Sequence, residues 1–298
     1  MEQPFDVVCV GHATLDRVAL VAGRPPRDGR VYAADLAEGG GGPAATAAVT
    51  LARLGRRVAV VAAVGDDPAG RRIRDELAGE GVDIRDLELV DGARSPGSLI
   101  VADSRASTRT IIAFAGTAGP IQLRSGAIDR CRHAAWVHVD RRGYEPIRLV
   151  RHELGASRLS VDAGHAAWPI DLRGVDLFAP SADFLAARYP GLRRDRAMRA
   201  ALEEGARAVV VTLGAAGSTA RTAEGSWRAA GFPVDVRSTL GAGDVFHGAL
   251  LDALLRETAM PEALRWANMA AALSCRGLDG RSAIPTADEL RRHPGARG

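Results

Sequence analysis

One stretch in the last third of the chain, residues 238–250, joins a small-residue turn to a helix start and a carboxylate. After Gly241, Ala242 and Gly243, apolar residues recur at helical spacing: Val245, Phe246, Ala249, Leu250, Ala253 and Leu254. A helix is therefore predicted to begin near Gly241 or Ala242, with free backbone N–H groups at the positive end of its dipole that could bind a phosphate. Asp244 lies in the first turn and could act as a base beside that anion. An ordinary loop-to-helix junction, with the Asp satisfying the helix N-terminus, is the competing interpretation.

A second glycine-rich segment lies near the N-terminus. The run from Gly39 to Gly42 leads through Pro43 into a predicted helix of small residues that includes Thr46 and stops at Gly55. The glycines lack the G-x-G-x-x-G spacing of a dinucleotide fingerprint, and residues 33–38 make a poor strand, so that alternative is disfavoured.

Asp16 is the other carboxylate placed for chemistry. Residues 5–10 form a valine-rich run that predicts a central strand buried on both faces, ending at Gly11. Asp16 follows where the chain leaves the carboxyl edge of that strand, the usual ligand side of a parallel sheet. The alternative is an unremarkable surface loop residue.

The elements that must position these residues alternate between strand and helix. From residue 58 onward the alternation predicts a mostly parallel sheet covered on both faces, and residues 1–298 are interpreted as one α/β domain. Two irregular excursions, about 14–38 and 95–115, are predicted to form a small β-sheet lid.

The charge pattern excludes several functions. The formal net charge is only +3, and the 39 basic residues are scattered and are all Arg. Nucleic acid is therefore not an expected partner. Without Lys the chain can be neither a Walker-type P-loop protein nor a Schiff-base enzyme.

Cysteine and hydropathy patterns favour a cytoplasmic protein. Cys9, Cys131 and Cys275 are far apart and have no His at ligand spacing, so neither a disulfide framework nor a zinc site is predicted. The N-terminus shows no export signal, and the longest apolar run, residues 58–64, is too short to cross a bilayer.

Two signatures together carry a family resemblance. Residues 238–244 read Ser-Thr-Leu-Gly-Ala-Gly-Asp, and residues 41–55 place a double glycine before a small-residue helix that ends in Leu-Gly. Over essentially its full length the chain resembles the PfkB (ribokinase-like) carbohydrate kinases, which implies a three-layer α/β core with a small β-sheet lid.

The resemblance implies a role for each matching residue. Asp244 would be the base, and the N–H groups of Gly241, Ala242 and Gly243 would form the anion hole for the phosphoryl group. The implied sugar-site residues are Asp16, Gly41, Gly42 and Thr46. The implied nucleotide-site residues are Thr212, Gly214 and Gly217, with Asn268 flanking the adenine. ATP and Mg²⁺ are implied as cosubstrate and metal.

Departures from the family pattern modify these expectations. Thr46 replaces a common Asn, which implies altered contacts to a sugar hydroxyl. Ser238 replaces an Asp of the ion site in potassium-activated members, which argues against potassium activation. The N-x-x-E magnesium motif is Ser-Ala-Asp-Phe at residues 181–184, so either Asp183 serves through water or the metal is held mainly by the nucleotide phosphates.

Within the family the pattern is most similar to the bacterial sulfofructose kinases, through residues 40–49, 244–250 and 280–285. Arg142 aligns with an Arg that helps hold the anionic head of the sugar, and a guanidinium suits such a group. Phe114 stands where an Asn shares this role, which argues against sulfonate as the substrate group.

Two histidines remain near the predicted site. His247 lies one helical turn after Asp244, and a polar position at the helix edge is favoured over a role in orienting the base. His12 is a weaker candidate, and neither has metal-ligating neighbours in the sequence.

The leading hypothesis is an ATP-dependent kinase that phosphorylates a hydroxyl of a small sugar or sugar derivative, a ketose or a sugar acid. The alternatives are a nucleoside kinase of the same family, a non-catalytic sugar or nucleotide sensor, and an oxidoreductase. By the family pattern we expect a homodimer formed through the lid.

Overall fold

The computed structural model describes residues 3–164 and 168–293, so both ends of the predicted 1–298 domain lie outside the described residues. Within these ranges the strands form two separate sheets. The strands are β1 (Val7–Val10), β2 (Thr14–Val21), β3 (Asp35–Gly41), β4 (Val58–Gly65), β5 (Asp83–Val90), β6 (Gly97–Asp103), β7 (Thr108–Phe114), β8 (Trp136–Val139), β9 (Arg158–Asp162), β10 (Leu177–Ala179), β11 (Ala208–Thr212), β12 (Ser218–Thr222) and β13 (Ser226–Ala229).

The large sheet has the strand order β13-β12-β11-β10-β9-β8-β1-β4-β5. Pairing is parallel from β5 to β11, and the β12–β13 hairpin at one edge is antiparallel both within itself and to β11. Strand β1 lies between β4 and β8 and is buried along its whole length, as its valine-rich sequence predicts.

Helices cover both faces of this sheet, which confirms the predicted α/β class. The helices are α1 (Pro43–Arg53), α2 (Pro68–Gly79), α3 (Ser125–His133), α4 (Arg141–Leu149), α5 (Ala182–Arg188), α6 (Arg194–Glu203), α7 (Ala242–Leu255), α8 (Met260–Ser274) and α9 (Ala287–Arg292). Val7 and Cys9 of β1 pack into the core that contains α1, α2, α7, α8 and α9, whereas Val8 and Val10 pack into the core with α3 to α6. The alternation follows from the two-residue period of a strand. None of the helices in the described ranges has both the length and the hydropathy that crossing a bilayer requires.

The small sheet has the order β3-β2-β6-β7 and is built from the two irregular excursions. On its inner face Val18, Ile100 and Ala102 pack against Leu240 and Leu278, so the sheet rests on the turn that precedes α7. Its other surface exposes large apolar side chains: Leu36, Leu99, Ile112 and Phe114.

The structure corrects one strand prediction. Residues 33–38 were expected to be a poor strand, yet β3 runs from Asp35 to Gly41. Its antiparallel pairing with β2 forms this strand, because hydrogen bonding to a neighbour can override weak local propensity.

Candidate active site

Helix α7 begins where the sequence predicts, at Ala242, with Gly241 as its N-cap. Gly241 adopts a left-handed φ of 72°, and a Cβ there would lie 2.8 Å from the Gly280 carbonyl oxygen. Both the backbone conformation and the lack of space for a side chain therefore require glycine. A Cβ on Gly243 would meet nothing within 4 Å. No side chain caps this helix start, and the Ala242 N–H makes only a 3.4 Å contact with the Thr239 carbonyl oxygen, so the helix N-terminus can bind an anion.

Asp244 lies in the first turn of α7 and is only partly buried. Burial and the nearby Asp162 carboxylate raise its pKa from 3.8 to about 7, and the positive charges of His247 and Arg109 act in the opposite direction. A base works best when its pKa is near the operating pH, because it then combines ionisation with proton affinity.

A cleft of about 940 Å³ opens in front of this helix start. All four residues predicted for the nucleotide line it: Thr212 at the end of β11, Gly214, Gly217 and Asn268. The Asn268 side-chain amide donates to the carbonyl oxygens of Ala229 and Ala230 at 3.2 and 3.1 Å, so this side chain also fixes the cleft wall.

Asp183 lies on the surface of the same cleft, after Ser181, whose hydroxyl accepts from the Phe184 N–H and caps α5. An exposed carboxylate in this cleft would suit magnesium held through water. Bound Mg²⁺ would neutralise phosphate charge there, and Asp183 is the residue that would hold it.

Asp16 is buried within β2, so the interpretation as a surface loop residue is wrong. A Cβ on Gly41 would collide with the Asp16 carboxylate, which explains a glycine at that position of the neighbouring strand β3. Burial raises the pKa of Asp16, and the hydroxyls of Ser98 and Thr14 counteract the rise. The Asp16 Oδ1 atom is buried without a hydrogen-bond partner, as expected of a group that awaits a ligand hydroxyl.

Arg281 lies next to Gly41 and Thr46, and nothing in the sequence identified it as a site residue. Its guanidinium is buried and donates to the Gly41 carbonyl at 2.5 Å and to the Thr46 hydroxyl at 3.1 Å. Burial lowers its pKa to about 10, against the opposing charges of Glu76, Asp16 and Asp244. Arg281 is therefore a cation at neutral pH, facing both Asp16 and Asp244. Thr46, predicted to contact sugar, uses its hydroxyl as an acceptor for Arg281.

The Asp140 carboxylate is hydrogen-bonded to three segments: the one at His12, the start of α1 and the start of α4. Its carboxylate caps α4 by accepting from the N–H groups of Arg142 and Gly143, and it also accepts from the N–H groups of His12 and Ala44. Gly42 precedes α1 as its N-cap, and a Cβ there would lie 2.5 Å from the His12 carbonyl oxygen.

Arg142, predicted to bind an anionic sugar group, lies in the first turn of α4. Its guanidinium donates to the Gly119 carbonyl oxygen. This contact orients the side chain without identifying a ligand, so its substrate role stays a prediction.

The structure overturns the interpretation of His247 as a residue at the helix edge. Its side chain is 5% exposed, and its Nε2 lies 3.2 Å from the Asp162 Oδ1 atom. His247 has no such neighbours along the sequence, but in space the side-chain nitrogen and oxygen atoms of His138, Asp162 and His247 lie within 4.8 Å of one another. These residues come from different strands and a helix, so no spacing in the sequence could have revealed them. The contact between His247 and Asp162 is that of an ion pair.

Arg109 is a second residue that the sequence did not single out. It projects from β7 of the small sheet into the cleft, where its Nη1 donates to the Thr239 hydroxyl at 2.7 Å. Thr239 belongs to the turn before α7, so Arg109 places a cation beside the proposed anion hole.

The chain is similar to carbohydrate kinases in sequence and in fold. A model of the pfkB family of carbohydrate kinases matches residues 5–148 and 172–287. The ATP-dependent ribose-1-phosphate kinase of Halopiger xanaduensis is 30% identical, over 95% of this chain and 96% of its own. The 5-dehydro-2-deoxygluconokinase of Lacticaseibacillus casei is 24% identical, over 97% and 95%. The ribokinase of Arabidopsis thaliana, solved with ribose and ATP, shares the fold with a TM-score of 0.82 at 22% identity, covering 97% of this chain and 98% of its own.

Proposed function

Because the chain belongs to the pfkB family of carbohydrate kinases, we propose that it transfers the γ-phosphoryl group of ATP to a hydroxyl of a small sugar or sugar derivative, with Asp244 as the base. The observation that carries the assignment of the site is the helix start at Gly241 to Asp244, which has no side-chain cap and presents a carboxylate of raised pKa at the mouth of the cleft.

The proposed reaction needs few groups. Asp244 accepts the proton of the acceptor hydroxyl while the hydroxyl oxygen forms a bond to the γ-phosphorus and the bond to the bridging oxygen of ADP breaks. Charge on the transferred phosphoryl group is stabilised by the first N–H groups of α7 and by Arg109. Asp16, with its buried and unpartnered oxygen, would hold another hydroxyl of the acceptor.

A coupled ADP-release screen tests this proposal. The panel contains fructose, sulfofructose, fructose phosphates, ketodeoxygluconate, ribose, ribose 1-phosphate, 5-dehydro-2-deoxygluconate and nucleosides. Acceptor-dependent ADP formation with a sugar supports the proposal. Turnover with nucleosides alone would identify the nucleoside kinase instead, and ATP binding without turnover on any acceptor would favour a sensor.

The pH profile follows from the state of Asp244. Burial raises its pKa to about 7, and a base must be deprotonated, so activity is present above this pKa and falls as the pH decreases through it. At pH values below this pKa we expect kcat/KM to decrease about tenfold per pH unit, because binding of one proton inactivates the base. This part of the profile is its acid limb. A profile that is flat from pH 5 to 8 would contradict this expectation.

Arg109 supplies a prediction of its own. Replacing Arg109 with Ala removes a cation next to the anion hole and should lower kcat roughly tenfold or more, whereas Arg109→Lys should retain part of the activity. Arg105→Ala, at the exposed tip of the same hairpin, is the matched control. Equal steady-state rates for Arg109→Ala and the control would show that Arg109 does not act on the phosphoryl group.

The homodimer remains a prediction. The apolar surface of the small sheet defined by Leu36, Leu99, Ile112 and Phe114 is consistent with it, as a contiguous exposed apolar surface often marks a contact site. Potassium independence likewise stays a prediction that rests on Ser238.

A further inference from the structure

A buried ion pair lies directly behind the proposed base. Asp162 ends strand β9, and His247 lies one turn after Asp244 on α7, so strand and helix bring their side chains together. The distance from His247 Nε2 to Asp162 Oδ1 is 3.2 Å, and the two side chains are 5% and 6% exposed. Asp162 also accepts from the Gly164 N–H at 2.8 Å, which holds the carboxylate in place.

His138 of β8 packs against this pair without adding charge. Its ring centroid lies 5.6 Å from that of His247, and its Nδ1 lies 3.1 Å from the Ser160 hydroxyl. Burial and the positive charge of His247 lower the pKa of His138 to about 4, so His138 is neutral in the physiological range. Of the two histidines, His247 is the one whose charged form is favoured, because the Asp162 carboxylate raises its pKa.

The charges around Asp244 come from several elements. Five groups face it: the carboxylates of Asp162 and Asp140, and the cations of His247, Arg109 and Arg281. Asp162 is the negative charge with the largest effect on Asp244, and His247 is the leading opposing cation. If His247 were neutral, the carboxylates of Asp162 and Asp244 would lack the cation that opposes their charge, and nearby like charges disfavour ionisation.

We propose that His247, held as an imidazolium by Asp162, is a positioning residue that balances the charge of Asp162 and so keeps Asp244 available as a carboxylate. This inference rests on the proposed function, in which Asp244 is the base. It assigns a role in the reaction to two residues that touch neither the acceptor nor the nucleotide.

The ionisation behaviour of the pair supports this arrangement. Burial alone would lower the pKa of His247, but the Asp162 carboxylate outweighs it and the net shift is upward. Burial alone would raise the pKa of Asp162, but His247 outweighs it and the pKa falls to about 2. Both shifts favour the charged forms, the His247 imidazolium and the Asp162 carboxylate.

Removing the cation tests the proposal. In His247→Asn, the unbalanced Asp162 should move the acid limb of kcat/KM to higher pH by roughly one unit, the scale of a nearby charge, while kcat on the alkaline plateau stays within about threefold. In Asp162→Asn/His247→Asn both charges are gone, and the limb should return to its wild-type position. His133→Asn is the matched control, because His133 is an exposed residue at the end of α3, and it should leave the limb unchanged.

A loss of kcat in His247→Asn that is equal at all pH values, without movement of the limb, would overturn the proposal in favour of a structural role. So would failure of the double variant to restore the limb. Failure of the proposed function looks different: Asp244→Asn would then keep its activity, and the wild type would show no limb attributable to a base.

The protonation state of His247 can be measured in the wild-type protein, so this test does not depend on the folding of the variants. In ¹⁵N spectra of protein labelled at histidine, assigned with His247→Gln, the His247 ring should be mostly doubly protonated at pH 6.5, where a free histidine is about half protonated. A neutral ring, or one bonded to a metal ion bridging His138, Asp162 and His247, would overturn the proposal.

Discussion

Replacing Asp244 with Asn should lower kcat by roughly 10²–10⁴-fold, the range typical of a lost general base, with little change in the KM for ATP. The amide keeps the size of the side chain and cannot accept the proton of the acceptor hydroxyl. Initial rates at pH 8, well above the acid limb, measure the effect. Asp195→Asn is the matched control, because Asp195 also lies in the first turn of a helix, α6, but is exposed.

The same variant provides its own test of folding. Burial raises the folded-state pKa of Asp244 from 3.8 to about 7, so its ionisation opposes folding as the pH rises between these values. At pH 8 Asp244→Asn should therefore be more stable than the wild type, by at most about 4 kcal/mol and less where solvent screens the charge. Below about pH 3.8 the wild-type carboxyl is neutral in both states, and this difference should vanish. An inactive and stabilised variant would separate catalysis from folding, whereas activity within about tenfold of the wild type would show that Asp244 is not the base.

Asp140→Ala should be the most destabilising single substitution near the site. The carboxylate accepts from the N–H groups of His12 at 2.7 Å, Ala44 at 3.3 Å, Arg142 at 2.8 Å and Gly143 at 3.1 Å. Its removal leaves these buried donors unpaired, and we expect a loss of about 3–5 kcal/mol in the free energy of unfolding, the scale for breaking a buried charged network. Urea denaturation at pH 7 measures this loss.

Two comparisons sharpen the Asp140 test. Thr286→Ala removes the capping box of α9, away from the site, and should cost only about 1 kcal/mol. Burial alone would raise the pKa of Asp140, but its hydrogen bonds and the neighbouring His12 bring it below 3.8. Its stabilisation is therefore present above pH 3.8 and is lost as the pH falls through the folded-state pKa. A cost for Asp140→Ala no larger than that of Thr286→Ala would show that the four donors find other partners.

The start of α7 was predictable because its determinants are local. Apolar spacing, the glycines and the position of Asp244 all lie within fifteen residues of sequence, and the helix begins at the expected residue. The alternation that predicts a parallel sheet is likewise a local pattern repeated along the chain. Strand β3 was missed, because its pairing with β2 and not its composition forms it.

The charge network of the site could not be predicted from the sequence. Arg281 reaches Gly41 and Thr46 across more than 230 positions of the chain, and His247 meets Asp162 across a strand and a helix. Such contacts form when strands and helices pack together, and no local pattern in the sequence of each element marks them. His247 was therefore interpreted as a helix-edge residue, although its burial makes it one of the groups that control the base.

The most direct test of the central claim follows the phosphoryl group itself. With the acceptor identified by the ADP-release screen, ³¹P spectra of the reaction should show a new sugar phosphate ester forming in equal amount to ADP in the wild type. Asp244→Asn should form it at roughly 10²–10⁴-fold lower rate. Release of inorganic phosphate without an ester, or an ester formed equally fast by Asp244→Asn, would contradict the assignment of this site as a sugar kinase centre with Asp244 as its base.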